Sequence, residues 1–246
     1  MNLLLLEAGE VGPDGVAVLR GRRARHLQEV LQSQPGHLVR AGVVDGGIGT
    51  AEVLGSSADA ITLRCRFDQP APPAGTDTLL LAVPRPKVLR RCAEDAAALG
   101  FARLILFRAW HTDRSHLLAE AMTPACLRAH LLLGMELSAR TRLPEVLVEP
   151  LFKPFVEDRL DALLAGHQRW LAHPGPDAGP PPPAGAGQPV ALALGPERGF
   201  TPYEIEALRA RGFAVVTAGP HPLRVHTALC VLGGQLLLRQ APRRDQ

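Results

Sequence analysis

The chain has 246 residues, 46% hydrophobic and only 4% aromatic, and a formal net charge of +3 at neutral pH. That length holds one large or two modest domains whose cores must be filled by leucine, valine and alanine. The small net charge excludes a blanket polycation, so a nucleic-acid surface has to be a local patch, and the 27 basic residues, arginine everywhere except Lys87 and Lys153, suit phosphate recognition.

The opening MNLLLL has no basic flank and is too short for a signal peptide or a membrane span. It reads as a first strand. Val16–Leu19 is a strand, and Arg22–Gln32 a helix with Leu27, Val30 and Leu31 on one face. His37–Val44, Gly49–Leu54 and Ala60–Phe67 are further strands, separated by Asp45-Gly46-Gly47 and Ser56-Ser57 turns. Short strands and one helix in this span predict a small β-barrel over residues 1–70. Gln69–Gly75 (QPAPPAG) is a proline-rich connector and the expected domain boundary.

Beyond it, strands alternate with helices. Thr78–Val83 is a strand, Leu89–Leu99 a helix stopped by Gly100, and Leu104–Phe107 a strand. Pro124–Ala139 is a helix capped by Thr123, and Glu145–Glu149 another strand. This alternation predicts a parallel α/β domain over residues 77–242. Gly175–Pro189 is rich in proline and glycine and is expected to form a mobile surface loop within that domain.

The richest stretch follows. Strand Val190–Leu194 runs into Gly195-Pro196-Glu197-Arg198-Gly199-Phe200. Thr201-Pro202-Tyr203-Glu204 then starts a helix with a capping box. After strand Phe213–Thr217 comes a second loop, Ala218 to Arg224, and a last helix carrying Gly233-Gly234. Each helical glycine costs about 1 kcal/mol relative to alanine, which points to close packing against another backbone. Both loops leave the carboxyl ends of strands, the rim at which open α/β sheets bind ligands. Arg224 at the loop–helix junction is a candidate anion stabiliser, and His226 a candidate proton acceptor.

Cys65, Cys92, Cys126 and Cys230 are too irregularly spaced for a zinc site or a disulfide framework. They fit a reducing cytoplasm, and no metal is expected. Arg20, Arg22, Arg23 and Arg25 form one basic cluster, Arg85, Lys87, Arg90 and Arg91 a second, and Arg114 lies beyond a third strand. Of these, Arg22, Arg23, Arg25, Arg85, Lys87 and Arg114 are the candidates for RNA contact. The scarcity of aromatics disfavours a stacking platform of the RRM type.

The GPE-x-GF loop and the later G-P-x-x-LR-x-x-TA loop resemble the C-terminal signature of the RsmE-type ribosomal RNA methyltransferases of the SPOUT class. The resemblance covers nearly the whole chain. It implies a trefoil-knotted parallel sheet flanked by helices behind a PUA-like RNA-binding barrel. It further implies a cytoplasmic homodimer that moves a methyl group from S-adenosylmethionine to N3 of a uridine in small-subunit ribosomal RNA. Carried over by position, the cofactor residues are Leu194, Gly195, Pro196, Glu197, Gly219, Leu223, Arg224, Thr227 and Ala228. This chain departs from the family at Arg198, where glycine is usual, at His221-Pro222, where Arg-Ile is usual, and at His226, where glutamate is usual. Two alternatives stay open at this point. One is a SPOUT enzyme acting on another RNA position. The other is a non-catalytic RNA-binding or ribosome-assembly factor with a degenerate cleft.

Overall fold

The computed structural model describes residues 1–183, 185 and 187–240. Residues 184 and 186 of the proline-rich loop and residues 241 and 242 of the expected second domain lie outside the described residues. The chain divides into two compact units, Met1–Ala74 with Met135–Leu143, and Gly75–Gly134 with the chain from Pro144 onward.

The first unit is a curled five-stranded sheet. Its strands are β1 (Leu4–Leu6), β2 (Val16–Arg20), β3 (Leu38–Val43), β4 (Ile48–Ser56) and β5 (Ala60–Gln69), in the order β1-β3-β4-β5-β2. Only β1 and β3 pair in parallel. Alternation sends Ala17 and Leu19 inward to join Leu4, Leu6, Val53, Ile61 and Leu63 in the core. Helix α1 (Gly21–Arg25) runs on as a π-helical turn, His26–Val30, in place of the regular helix expected there. The widened turn shifts the phase of the apolar residues. Leu27 is buried, whereas Val30 and Leu31, expected on the same inward face, are exposed.

The second unit holds six parallel strands: β6 (Thr78–Ala82), β7 (Arg103–Phe107), β8 (Glu145–Glu149), β9 (Gln168–Ala172), β10 (Val190–Leu194) and β11 (Ala214–Val216). Their order is β11-β9-β10-β6-β7-β8. Strands β6 and β10 are buried at every position, which explains their unbroken apolar runs. The helices are α2 (Pro86–Leu99), α3 (Arg114–Leu117), α4 (Pro124–Ser138), α5 (Phe152–Pro154), α6 (Leu160–Leu163), α7 (Pro202–Arg209) and α8 (Val225–Gln240). Helix α2 ends as expected at Gly100, whose φ of 83° is a left-handed cap.

Helix α8 packs against α2 and β10. A Cβ on Gly233 would lie 2.7 Å from Leu99 Cδ1 and 3.3 Å from Phe101 Cε2, so this glycine makes room for side chains, not for a second backbone. Nothing in the structure explains Gly234, which would meet nothing within 4 Å.

Strand β9, absent from the sequence reading, lies between β10 and β11. The chain leaving it crosses to the opposite edge of β11. There Thr217 N–H donates to Gly179 O at 2.9 Å and Gly179 N–H donates to Val215 O at 3.3 Å. One continuous segment, 168–179, therefore holds β11 on both edges. Arg239 of α8 also donates to the carbonyls of Gly185 and Gln188. The 173–189 connection thus has anchors that its composition does not reveal.

Candidate active site

The first rim loop, 195–200, is held from several directions. Phe200 is buried and stacks on Phe107, with ring centroids 6.2 Å apart and an interplanar angle of 5°. Burying a ring of this size contributes about 1.5–3 kcal/mol. Glu197 Oε1 accepts from Arg85 N–H at 2.9 Å, tying the loop to the start of α2. The Gly199 carbonyl accepts from His111 Nδ1 at 3.0 Å, which requires the proton on that nitrogen. Behind the loop, Thr201 and Glu204 form the expected capping box on α7. A Cβ on Gly195 would come within 3.2 Å of the Phe200 ring and 3.3 Å of Gly199 Cα, so the loop presents backbone where a side chain has no room.

The second rim loop leaves β11 at Thr217. Thr217 Oγ1 donates to Gly219 O at 2.6 Å. Gly219 through Arg224 are all exposed, and α8 begins at Val225. Between the loops lies a cavity of about 830 Å³. That is within the roughly 300–1,000 Å³ typical of small-molecule sites. Leu194, Val216, Leu223 and Leu232 give it apolar walls, and Arg85, Lys87, Arg91, Arg198 and Arg224 line it beside a single acid, Glu197. The lining is therefore positive on balance.

Of the residues expected at the cofactor site, Leu194, Gly195, Pro196, Glu197, Leu223, Arg224 and Ala228 line this cavity, as does His226. Gly219 and Thr227 do not line it, although both sit in the same loop–helix segment. Arg85 and Lys87, predicted as RNA contacts, line it too, because the turn before α2 opens onto the same rim. Arg114 is exposed at the start of α3. The cluster in the first unit is largely committed to internal pairs. Arg22 bonds Glu136 at 2.7 Å, and Arg23 bonds Glu10 and Leu5 O. Arg25 is exposed and has no ion pair among the described residues.

The sequence reading missed Ala172, His173 and Pro174, which line the cavity from the end of β9. His173 N–H donates to Val216 O at 3.1 Å. Burial lowers the pKa of its imidazole, favouring the neutral form. Farther along α8, burial raises the Asp95 carboxyl on α2, against the opposing Cys230 hydrogen bond and the nearby His226 charge. Cys230 itself is pushed up to about 11, first by burial and then by Asp95. No group of three or more metal-binding side chains occurs among the described residues.

The RNA methyltransferase domain family matches residues 73–236. The chain belongs to that family. It is 29% identical over 237 residues to the ribosomal RNA small subunit methyltransferase E of Treponema pallidum (strain Nichols), covering 94% of this chain and 88% of the relative. Its fold matches the Neisseria gonorrhoeae ribosomal RNA small subunit methyltransferase E bound to S-adenosyl methionine, with a TM-score of 0.76 at 17% identity over 97% of each chain. A candidate methyltransferase of Legionella pneumophila with bound cofactor SAM gives 0.73 at 20% identity, over 96% of this chain and 97% of that one. These relatives are of the RsmE type expected from the two loops. At such identities the solved structures speak for the fold: a parallel sheet flanked by helices, and a curled, barrel-like sheet that is mostly antiparallel.

Proposed function

We propose that this RNA methyltransferase transfers a methyl group from S-adenosylmethionine to N3 of a uridine in small-subunit ribosomal RNA. The observation that carries the reading is the positive cavity where the ends of β9, β10 and β11 meet the starts of α2 and α8. Its size, apolar walls and exposed loop backbone fit the cofactor. Leu194, Gly195, Pro196 and Glu197 would hold it on one side, and Gly219, Leu223, Thr227 and Ala228 on the other. When bound, it supplies an electrophilic methyl group, so no enzyme nucleophile is needed.

Arg224 stabilises the negative charge that the uracil imide gains as its N3 proton leaves. His226, at the start of α8, accepts that proton. His173 is a second acceptor within the same cavity, kept neutral by its burial. Arg85, Lys87, Arg114 and Arg25 are free to meet phosphates, which position the RNA without reading its sequence. Arg22 and Arg23 would first have to exchange carboxylate partners.

The enzyme acts as a homodimer in this reading. Helix α8 buries Leu229, Leu232 and Leu236 yet leaves Val231, Leu237 and Leu238 exposed, so it is apolar on both sides. A ribosomal substrate places the protein in the cytoplasm, and no helix among the described residues is long and apolar enough to cross a membrane.

The test pairs calorimetry with nucleotide mapping. S-adenosylmethionine should bind the wild type, and deletion of the gene should remove one 3-methyluridine from small-subunit ribosomal RNA. Loss of a methyl group elsewhere would reassign the target. No binding at millimolar cofactor would favour a non-catalytic assembly factor.

A further inference from the structure

The chain has two tryptophans, one tyrosine and seven phenylalanines, and of these only Trp110 and Tyr203 are exposed, at 79% and 59%. In a protein this poor in aromatics, leaving two large rings in water forgoes burial that the core could use. Both rings stand on the rim that carries the cavity. Trp110 follows the end of β7, and Tyr203 lies in the first turn of α7.

The backbone beneath the indole is fixed on three sides. Trp110 N–H donates to Glu204 Oε1 at 2.7 Å. Glu204 is 2% exposed, and its other oxygen accepts from Thr201 N–H and Oγ1–H at 2.8 and 2.9 Å. His111 donates to Gly199 O, and Thr112 Oγ1 donates to Val83 O at 3.2 Å. Trp110 N–H is thus bonded to Glu204, the residue next to Tyr203, and the neighbouring His111 is bonded to Gly199, which lines the cavity.

A ring held out in water by a rigid backbone has little ordering entropy to lose on binding. The flat face of a nucleobase matches it, because every base presents a π face whatever its sequence. The surrounding charge favours nucleic acid over a second copy of this chain. Arg114 and Arg198 are exposed and have no ion pair among the described residues, and Arg108 precedes the segment. Of the nearby acids, Asp113 is occupied by Ser115 N–H and Oγ–H at 2.8 Å each, and Glu206 meets Arg209 at 3.4 Å.

We infer that Trp110 and Tyr203 form a base-stacking site for an unpaired nucleotide of the RNA, adjoining the nucleotide that enters the cavity. This rests on the reading of the chain as an enzyme acting on RNA. Two isolated rings differ from an RRM platform. They grip a neighbouring base at the edge of the active site.

The test uses the full chain and a short single-stranded oligouridylate. Trp170 is 2% exposed, so iodide quenching reports Trp110. Oligouridylate should quench the indole and shield it from iodide. Trp110→Ala should bind it roughly 5- to 100-fold more weakly, Tyr203→Ala by a smaller factor, and Trp110→Phe close to wild type. Cofactor affinity and melting temperature should stay at wild-type values in all three. Equal oligouridylate affinity in wild type and Trp110→Ala, with cofactor still bound by both, would overturn the stacking site and leave the methyltransferase reading intact. A wild type that binds no cofactor would count against the methyltransferase reading alone, since the quenching experiment stands without it. Iodide access to Trp110 that depends on protein concentration and not on RNA would also overturn the proposal, assigning the ring to a contact between copies.

Discussion

Loop 195–200 and loop 217–224 border the same cavity but are held in different ways. The first has a buried, stacked phenylalanine, a glutamate bonded across to α2, a carbonyl bonded to His111 and a capping box behind it. The second is fixed at Thr217 and again where α8 begins, with Gly219 to Arg224 exposed between and shaped mainly by Pro220 and Pro222. A wall fixed in advance suits a ligand gripped by backbone, because such a site has to hold its geometry to within about 0.5 Å. A span that can adjust suits groups that must meet an RNA arriving from solution. In the proposed reading rigidity and chemistry are divided: the tight loop carries the geometry, and the open loop carries Arg224, the group assigned to the imide anion.

The largest effect should come from the open loop. Arg224→Ala is expected to lower the rate of methyl transfer by about 10²–10³-fold, while the denaturation midpoint stays put because the side chain is exposed. Methylated RNA formed per enzyme in single turnover measures it. Wild-type turnover in this variant would remove Arg224 from the reaction and leave the open loop without a chemical role.

For stability the order reverses. Glu204→Ala strips the acceptor from Thr201 and Trp110 at once and should cost about 2–4 kcal/mol in urea titration. Pro222→Ala, in the open loop, should stay within about 0.5 kcal/mol. Equal losses would erase the contrast. Deleting Asp177–Ala186 sharpens it from the other side. Composition marks that segment as dispensable, but Gly179 holds the outer edge of β11 through two backbone bonds. We expect a loss of about 2 kcal/mol, at roughly 1 kcal/mol per bond, with cofactor affinity falling alongside as β11 and its loop loosen.

What could be read from the sequence follows the same division. Loop 195–200 was legible because its causes are local: a proline, glycines and a Thr-x-x-Glu box within ten residues of each other. Strand β9 was not, because Gln168 and Arg169 look like surface and fall into place only through distant partners. Arg169 bonds Asp161 and the carbonyl of Arg211, both at 2.5 Å. The same blindness affected the arginines of α1. As a run of charge they read as an RNA face, but Arg23 meets Glu10 and Arg22 meets Glu136, partners that no local window reveals. The exposure of Trp110 was equally hidden, since nothing in Arg108-Ala109-Trp110 says which side chain the fold leaves outside.

The smallest expected effect tests where the fixed half of the site ends. His173 stands at the junction, its N–H on Val216 O and its ring beside Gly199. Burial lowers its pKa in the folded protein below the ordinary 6.5. The unfolded chain therefore binds the proton more readily than the folded one. The stability that His173 contributes is complete above about pH 6.5 and is lost as pH falls toward the lowered folded value. Against His173→Gln, which cannot titrate, the wild type should lose stability as pH drops from about 7 to 5.5, measured by urea midpoints across that range. The same pair of proteins distinguishes the proton acceptors. If His173 takes the N3 proton, His173→Gln lowers turnover and flattens its acid limb while His226→Gln retains both, and the reverse holds if His226 does the work. A flat stability difference across the range would mean that water reaches this imidazole as freely as it reaches loop 217–224, and the rigid wall would then stop at Gly199.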